Sequence, residues 1–79
     1  MLTLRYFTPF GMRMEIFVNG QARQMAGELS VAQLLAEMGV AQQRLAVELN
    51  REIVPRSAYD ARQLKPGDCL EMIRAVGGG

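Results

Sequence analysis

Few side chains in this sequence could carry out chemistry unaided. The 79 residues contain one cysteine, Cys69, and no histidine, which excludes an internal disulfide, histidine-based triads, proton relays and histidine zinc sites. A cysteine nucleophile is commonly activated by a neighbouring imidazole, and none is present. Because Cys69 also falls inside a predicted strand, we predict that it is a structural residue, buried or half-buried among apolar neighbours.

The charged residues form no pattern that indicates a metal or acid–base site. No ligand-type spacing is found among the carboxylates Glu48, Glu52, Asp60, Asp68 and Glu71. Nine Lys and Arg against eight Asp and Glu give a net charge of +1, which argues against a nucleic-acid partner. No apolar run approaches the roughly 20 residues that cross a bilayer, so no membrane partner is predicted. These features argue against a self-contained enzyme.

The C-terminus, Gly77-Gly78-Gly79, is the most unusual feature of the chain. Three extended residues reach about 10 Å beyond a fold, and glycine has the smallest cross-section, so such a tail can enter a narrow channel of another protein. Its terminal carboxylate is a poor electrophile until adenylation supplies a leaving group; sulfur attack then gives a thiocarboxylate, and amine attack gives an amide. A glycine-rich end is also typical of frayed termini and cloning remnants.

The chain divides into three predicted parts. Residues 1–13 are apolar and aromatic, and Arg5 within them does not fit a secretory signal. They are interpreted either as an N-terminal extension or as an upstream start added to a domain that begins at Met14. Residues 14–76 form the predicted domain, and residues 77–79 form a flexible glycine tail. With 49% hydrophobic and 22% charged residues, the composition is that of one small globular domain.

Alternating apolar residues and turn signals predict a mixed sheet. The predicted strands are 14–18, 21–25, 45–49, 53–54 and 69–76. Asn19-Gly20 suits a type I′ hairpin turn, and Pro55 places the short strand before it at an edge. The last strand is apolar on both faces around Met72-Ile73, which predicts a central position. The pattern is an α+β domain of ββαββ order, and it is a β-grasp if the first and last strands are parallel neighbours.

One helix is predicted to pack on this sheet. Ser30 and Gln33 have the spacing of a capping box, and Gly39 can end the helix in the left-handed conformation. Val31, Leu34, Leu35 and Met38 form the apolar stripe that is expected to face the core.

Several short motifs then indicate a family. They are residues 14–20 (MEIFVNG), 29–31 (LSV), 34–35 (LL), 47–50 (VELN), 53–56 (IVPR), 67–68 (GD), 70–71 (LE) and 75–79 (AVGGG). In this order and spacing, residues 14–79 resemble the ThiS-like sulfur carrier proteins of thiamine biosynthesis, which are ubiquitin-like β-grasp domains. Residues 1–13 have no counterpart in the family pattern, and Cys69 matches no functional position of the family.

The resemblance implies a carrier, not an enzyme. A ThiF-like adenylating partner of the ubiquitin-activating type would use Mg-ATP to activate the carboxylate of Gly79, with Gly77 and Gly78 as the tail that enters its active site. Sulfur from a cysteine-persulfide donor would give the thiocarboxylate, and a ThiG-like thiazole synthase would receive the sulfur. The carrier would bind no cofactor of its own, and its location would be cytoplasmic.

Other classes of protein stay open at this point. The small subunit of molybdopterin synthase shares the fold and chemistry but usually has Pro-Pro before its final Gly-Gly, where this chain has Ala75-Val76. A covalent ubiquitin-like modifier would end in an isopeptide bond. A non-covalent β-grasp binding module would not need a free glycine end, and an enzyme built on Cys69 would lose its activity in a Cys69→Ser variant.

Overall fold

The computed structural model describes residues 13–74. The strands are β1 (Arg13–Val18), β2 (Gln21–Ala26), β3 (Leu45–Leu49), β4 (Glu52–Val54) and β5 (Cys69–Arg74), the α-helix is α1 (Val31–Glu37), and a short 3₁₀ helix covers Arg56–Ala58. Residues 1–12 and 75–79 lie outside the described residues. The predicted N-terminal extension, the end of the domain at residue 76 and the glycine tail therefore stay predictions.

The five strands form one mixed sheet in the order β2-β1-β5-β3-β4. β1 and β5 are parallel neighbours, whereas β2 pairs antiparallel with β1, and β3 pairs antiparallel with both β4 and β5. The predicted β-grasp is thus confirmed, because the first and last strands lie side by side in parallel. The short strand before Pro55 is at an edge of the sheet, as predicted. The predicted order ββαββ becomes ββαβββ when this strand is counted with the other four.

Local hydrogen bonds define both ends of α1. At its start, the Ser30 hydroxyl accepts from the Gln33 N–H at 3.1 Å, and the Gln33 side-chain oxygen accepts from the Ser30 N–H at 2.8 Å. At its end, Gly39 has φ of +76°, and the Val40 N–H donates to the Leu35 carbonyl at 3.0 Å. These are the predicted capping box and a Schellman motif. No helix within residues 13–74 is long and apolar enough to cross a membrane.

The core lies between α1 and one face of the sheet. Its buried hydrophobic residues are Met14, Ile16, Val18, Met25, Leu29, Val31, Leu34, Leu35, Val47, Leu49, Val54, Leu64 and Leu70. Three residues of the predicted helical stripe are fully within this group, and the fourth, Met38, packs against it while half-buried. Because successive side chains of a strand point to opposite faces, the residues between the buried ones lie on the sheet's other face, which we call the open face.

β5 is central, as predicted, although α1 covers only one of its two faces. Leu70 is buried, whereas Cys69 is exposed and Ile73 is 50% exposed. The prediction that Cys69 is buried or half-buried is therefore wrong. Its strand is central in the sheet, but the single helix covers only one face, and Cys69 points to the open face.

Candidate functional site

The candidate site is the end of β5, where the central strand leads towards the glycine tail. β5 is paired on one side with β1 and on the other with β3, and its last described residue, Arg74, lies opposite Leu45. The predicted site residues Gly77, Gly78 and Gly79 lie outside the described residues. The structure does describe β5, which precedes these glycines, together with the residues that bind and surround it.

Asn19 fixes β5 from the side of β1. It occupies the first central position of the β1–β2 turn with φ of +50°. Its backbone N–H donates to the Leu70 carbonyl at 2.9 Å, and its side-chain oxygen accepts from the Met72 N–H at 2.8 Å. β1 ends at Val18, so these two bonds extend the attachment of β5 beyond the last residue of its neighbour.

Asn50 fixes the start of β5 from the side of β3. It occupies the same position in the β3–β4 turn with φ of +52°. Its N–H donates to the Cys69 carbonyl at 2.7 Å, its side-chain oxygen accepts from the Cys69 N–H at 2.9 Å, and its side-chain amide donates to Asp68 at 3.0 Å. The other Asp68 oxygen accepts from the Lys65 N–H at 2.7 Å, which closes the turn before β5.

These contacts give a physical role to three of the family-like motifs, 14–20, 47–50 and 67–68. The sequence predicted the turn at Asn19-Gly20 but did not indicate that the side chains of Asn19 and Asn50 bind β5. Asn19 was recognisable as a turn former because asparagine tolerates positive φ. Their partners were not visible, because Asn19 and Met72 are 53 positions apart and meet only through the sheet register.

A small apolar groove lies beside the end of β5. It encloses about 300 Å³, and the half-buried side chains of Met38, Val40, Leu45 and Met72 contribute to its lining. Arg74 also lines it and donates from its guanidinium to the Gln43 side-chain oxygen at 3.0 Å. The last described residue before the tail is thus attached by its side chain to the segment between α1 and β3.

Of the other residues considered for chemistry, Glu48, Cys69 and Glu71 line one depression on the open face. The Cys69 thiol is exposed, and its sulfur is 3.8 Å from the Gly67 carbonyl oxygen. Within residues 13–74, no group of three or more Asp, Glu and Cys side chains could hold a metal ion. Asp68 and Asn50 are joined by a hydrogen bond, but its geometry is that of a turn that positions β5.

Comparison with known proteins identifies the family. The model of the ThiS family matches residues 16–79, which is most of the chain. The chain belongs to the ThiS family.

The similar proteins include one sulfur carrier protein and two thiazole synthases. The chain is 32% identical over 66 residues to the sulfur carrier protein ThiS of Escherichia coli, a match that covers 84% of this chain and all of that protein. It is 41% identical over 66 residues to a thiazole synthase of Paramagnetospirillum magneticum, and 33% identical to one of Magnetococcus marinus. The chain spans 20% of the length of each of these thiazole synthases.

A solved structure shows the same fold. The crystal structure of the thiamine biosynthesis protein ThiS from Geobacter metallireducens superposes with a TM-score of 0.75 at 40% identity. The match covers 84% of this chain and all of that chain. The ThiS-like β-grasp predicted from the sequence is confirmed.

Proposed function

We propose that this chain is a sulfur carrier of thiamine biosynthesis and that its Gly79 carboxylate is converted to a thiocarboxylate. The observation that carries the proposal is the ThiS family match, which extends through residue 79 and so includes all three terminal glycines. The relation to E. coli ThiS over that protein's full length supports the same role. In this role the chain is a regenerated cosubstrate, and its partners catalyse.

The proposed chemistry takes place at one acyl carbon. A ThiF-like adenylating enzyme transfers AMP from Mg-ATP to the Gly79 carboxylate and releases pyrophosphate. The outer sulfur of a cysteine persulfide attacks the carbonyl carbon, and AMP leaves. A thiol reductant then cleaves the sulfur–sulfur bond, leaving the thiocarboxylate on the carrier and a free cysteine on the donor. Nucleotide and metal belong to the activating partner.

The fold contributes position to this reaction. A tail can deliver its terminus to a buried active site only if its base is fixed against the partner. The base here is β5, which is hydrogen-bonded to strands on both sides and to Asn19 and Asn50. Glycines beyond that strand add length with minimal width.

The proposed partner that receives the sulfur is a ThiG-like thiazole synthase. Two relatives named thiazole synthase contain a region similar to this chain over one fifth of their length. A carrier-like region inside such a chain supports a physical association between the two activities.

Complementation tests the proposal. The full chain is expressed, with the adenylating enzyme and thiazole synthase of its own organism, in a bacterium that lacks ThiS and grows only with added thiamine. We expect the chain to restore growth without thiamine. Deleting Gly79, or adding one alanine after it, is expected to abolish growth because both displace the reactive carboxylate. Glu37→Gln on the exposed side of α1 is the control and should restore growth. Growth with both tail variants would contradict the proposal.

A further inference from the structure

The two edges of the sheet differ in how they are protected against pairing with a further strand. β4 has three residues and is followed at once by Pro55. Short length and proline are two of the features that keep an edge strand from pairing. β2, at the other edge, has six residues, contains no proline and pairs with β1 over its full length without a bulge. Among the strands of residues 13–74, β2 therefore presents a regular outer side that can accept another strand.

The backbone groups on the outer side of β2 belong to Ala22, Gln24 and Ala26. On β1, Phe17 and Glu15 form backbone hydrogen bonds on the side of β5, at 2.9 and 2.7 Å. Their partners in the β1–β2 register are Ala22 and Gln24, which therefore turn their N–H and C=O groups away from β1. Hydrogen-bonded and non-hydrogen-bonded pairs alternate along an antiparallel ladder, so Ala26 points outwards as well.

The side chains of β2 fit an antiparallel pairing with a second copy of the same strand. In a register centred on Gln24, the two Gln24 residues lie opposite each other, and Ala22 of each copy lies opposite Ala26 of the other. All the outward N–H and C=O groups are then bonded across the new contact, and the small alanine side chains fit side by side. A register centred on Arg23 would instead oppose two guanidinium groups, which destabilises a sheet. The side chains thus favour the register centred on Gln24.

We infer that two copies of this chain associate through β2, antiparallel and centred on Gln24, so that the five strands of each copy join into one continuous sheet. A second copy is the occupant because the edge is complementary to itself: amide faces amide, alanine faces alanine, and no like charges are opposed. The contact area is small, since one strand of six residues from each copy takes part. The association is therefore weak and depends on protein concentration.

This association leaves the central strand of each copy uncovered. β1 separates β5 from β2, so the contact between copies lies two strands away from β5. Because the two β2 strands are antiparallel, the two β5 strands also run in opposite directions, and each leads towards its own glycine tail at an opposite end of the joined sheet. The inference goes beyond the proposed function and does not depend on it, since it rests on the geometry and side chains of β2.

Disulfide formation between copies tests the register. In the full chain carrying Cys69→Ser, single cysteines are introduced by Gln24→Cys, Arg23→Cys or Ala22→Cys and treated with oxidised glutathione at high protein concentration. In the inferred register the two Cα atoms at position 24 lie about 5.5 Å apart, within the range of a disulfide. The Cα atoms at position 23 are about 8 Å apart and those at position 22 about 14 Å apart, which is too far. We expect Gln24→Cys to form the disulfide-linked dimer about tenfold faster than the other two variants.

Sedimentation equilibrium of the reduced full chain tests the association itself. We expect the mean mass of the unmodified chain to rise from that of one copy towards that of two between micromolar and millimolar concentration. Gln24→Pro should stay monomeric because it removes an outward N–H, and the fold should tolerate it because that N–H points away from β1. Gln24→Ala, which keeps the N–H, is the control and should associate like the unmodified chain.

Three results would overturn the inference. They are an unmodified chain that stays monomeric at every concentration, a Gln24→Pro variant that is folded and associates equally well, and equal rates of disulfide formation at positions 22, 23 and 24. A chain that is monomeric alone but loses binding to its adenylating enzyme on Gln24→Pro belongs to the first of these, because the edge would then pair with that enzyme.

Discussion

Asn19 and Asn50 make equivalent contacts in two different hairpins. Each occupies the first central position of a tight turn at positive φ, and each accepts a β5 N–H with its side-chain oxygen. Asparagine meets both needs, because it tolerates the left-handed region and carries a carbonyl oxygen on a short side chain. Residue type at these two positions is thus set by the turn and by the central strand together.

Replacing Asn50 separates the contribution of its side-chain hydrogen bonds from that of its tolerance of positive φ. Asn50→Gly keeps the backbone conformation and the backbone bond to Cys69 but loses the side-chain bonds to Cys69 and Asp68. We expect it to lower the free energy of unfolding by about 1 kcal/mol. Asn50→Ala loses the same side-chain bonds but keeps a Cβ at positive φ without asparagine's local hydrogen bonds, so it should be about 1 kcal/mol less stable than the glycine variant. Urea denaturation of the three proteins measures both differences. Equal stability of the alanine and glycine variants would contradict the strain argument.

At the scale of elements, what could be predicted depended on the range of the interactions. Both ends of α1 were predicted, because Ser30, Gln33 and Gly39 act within a few residues of each other. The exposure of Cys69 was predicted wrongly, because it depends on which face of the sheet the helix covers. The asparagine contacts to β5 and the placement of Glu48 opposite Glu71 were not predicted for the same reason. Both depend on the strand register, which the sequence alone does not give.

The apolar stripe of α1 provides a direct test of the core. Leu35 is 3% exposed, and truncating it to alanine should lower the free energy of unfolding by about 2–5 kcal/mol. Ile53→Ala is the control, since a side chain that is 73% exposed should change stability by less than about 0.5 kcal/mol. Both are measured by urea denaturation. A smaller effect for Leu35 than for Ile53 would contradict the packing of α1 on the sheet.

Glu48 on β3 and Glu71 on β5 lie at partner positions in the sheet, so neutralising one of them should raise stability. Glu71→Gln removes one of two like charges at partner positions and should raise the free energy of unfolding by about 0.2–1 kcal/mol at neutral pH. Thermal or urea unfolding at low salt measures it, and high salt should reduce the gain. A loss of stability would instead indicate that Glu71 is held by a cation of the same face, such as Arg51.

At the scale of the whole molecule, stability and the proposed chemistry lie in different parts of the chain. The buried hydrophobic residues of the described structure all fall between Met14 and Leu70. The proposed reactive group is nine positions beyond the last of them, at Gly79. A carrier benefits from this separation, because its terminus can react and be regenerated while the domain stays folded.

Deleting Gly79 is therefore expected to leave the fold unchanged. The free energy of unfolding should differ from that of the full chain by less than about 0.5 kcal/mol, as for other changes outside a core. Urea denaturation of the two proteins measures the difference. A large loss of stability would mean that the tail is part of the folded domain and would contradict its role as a free reactive end.

The most direct test of thiocarboxylate formation at Gly79 is the intact mass of the purified full chain before and after reaction. The chain is incubated with its adenylating enzyme, Mg-ATP, a persulfide donor and a thiol reductant, with the Gly79 deletion as the parallel control. We expect a gain equal to the mass difference between one sulfur and one oxygen atom, located by fragmentation at Gly79 and absent without ATP. An unchanged mass with an active partner, or the same gain located elsewhere in the chain, would contradict it.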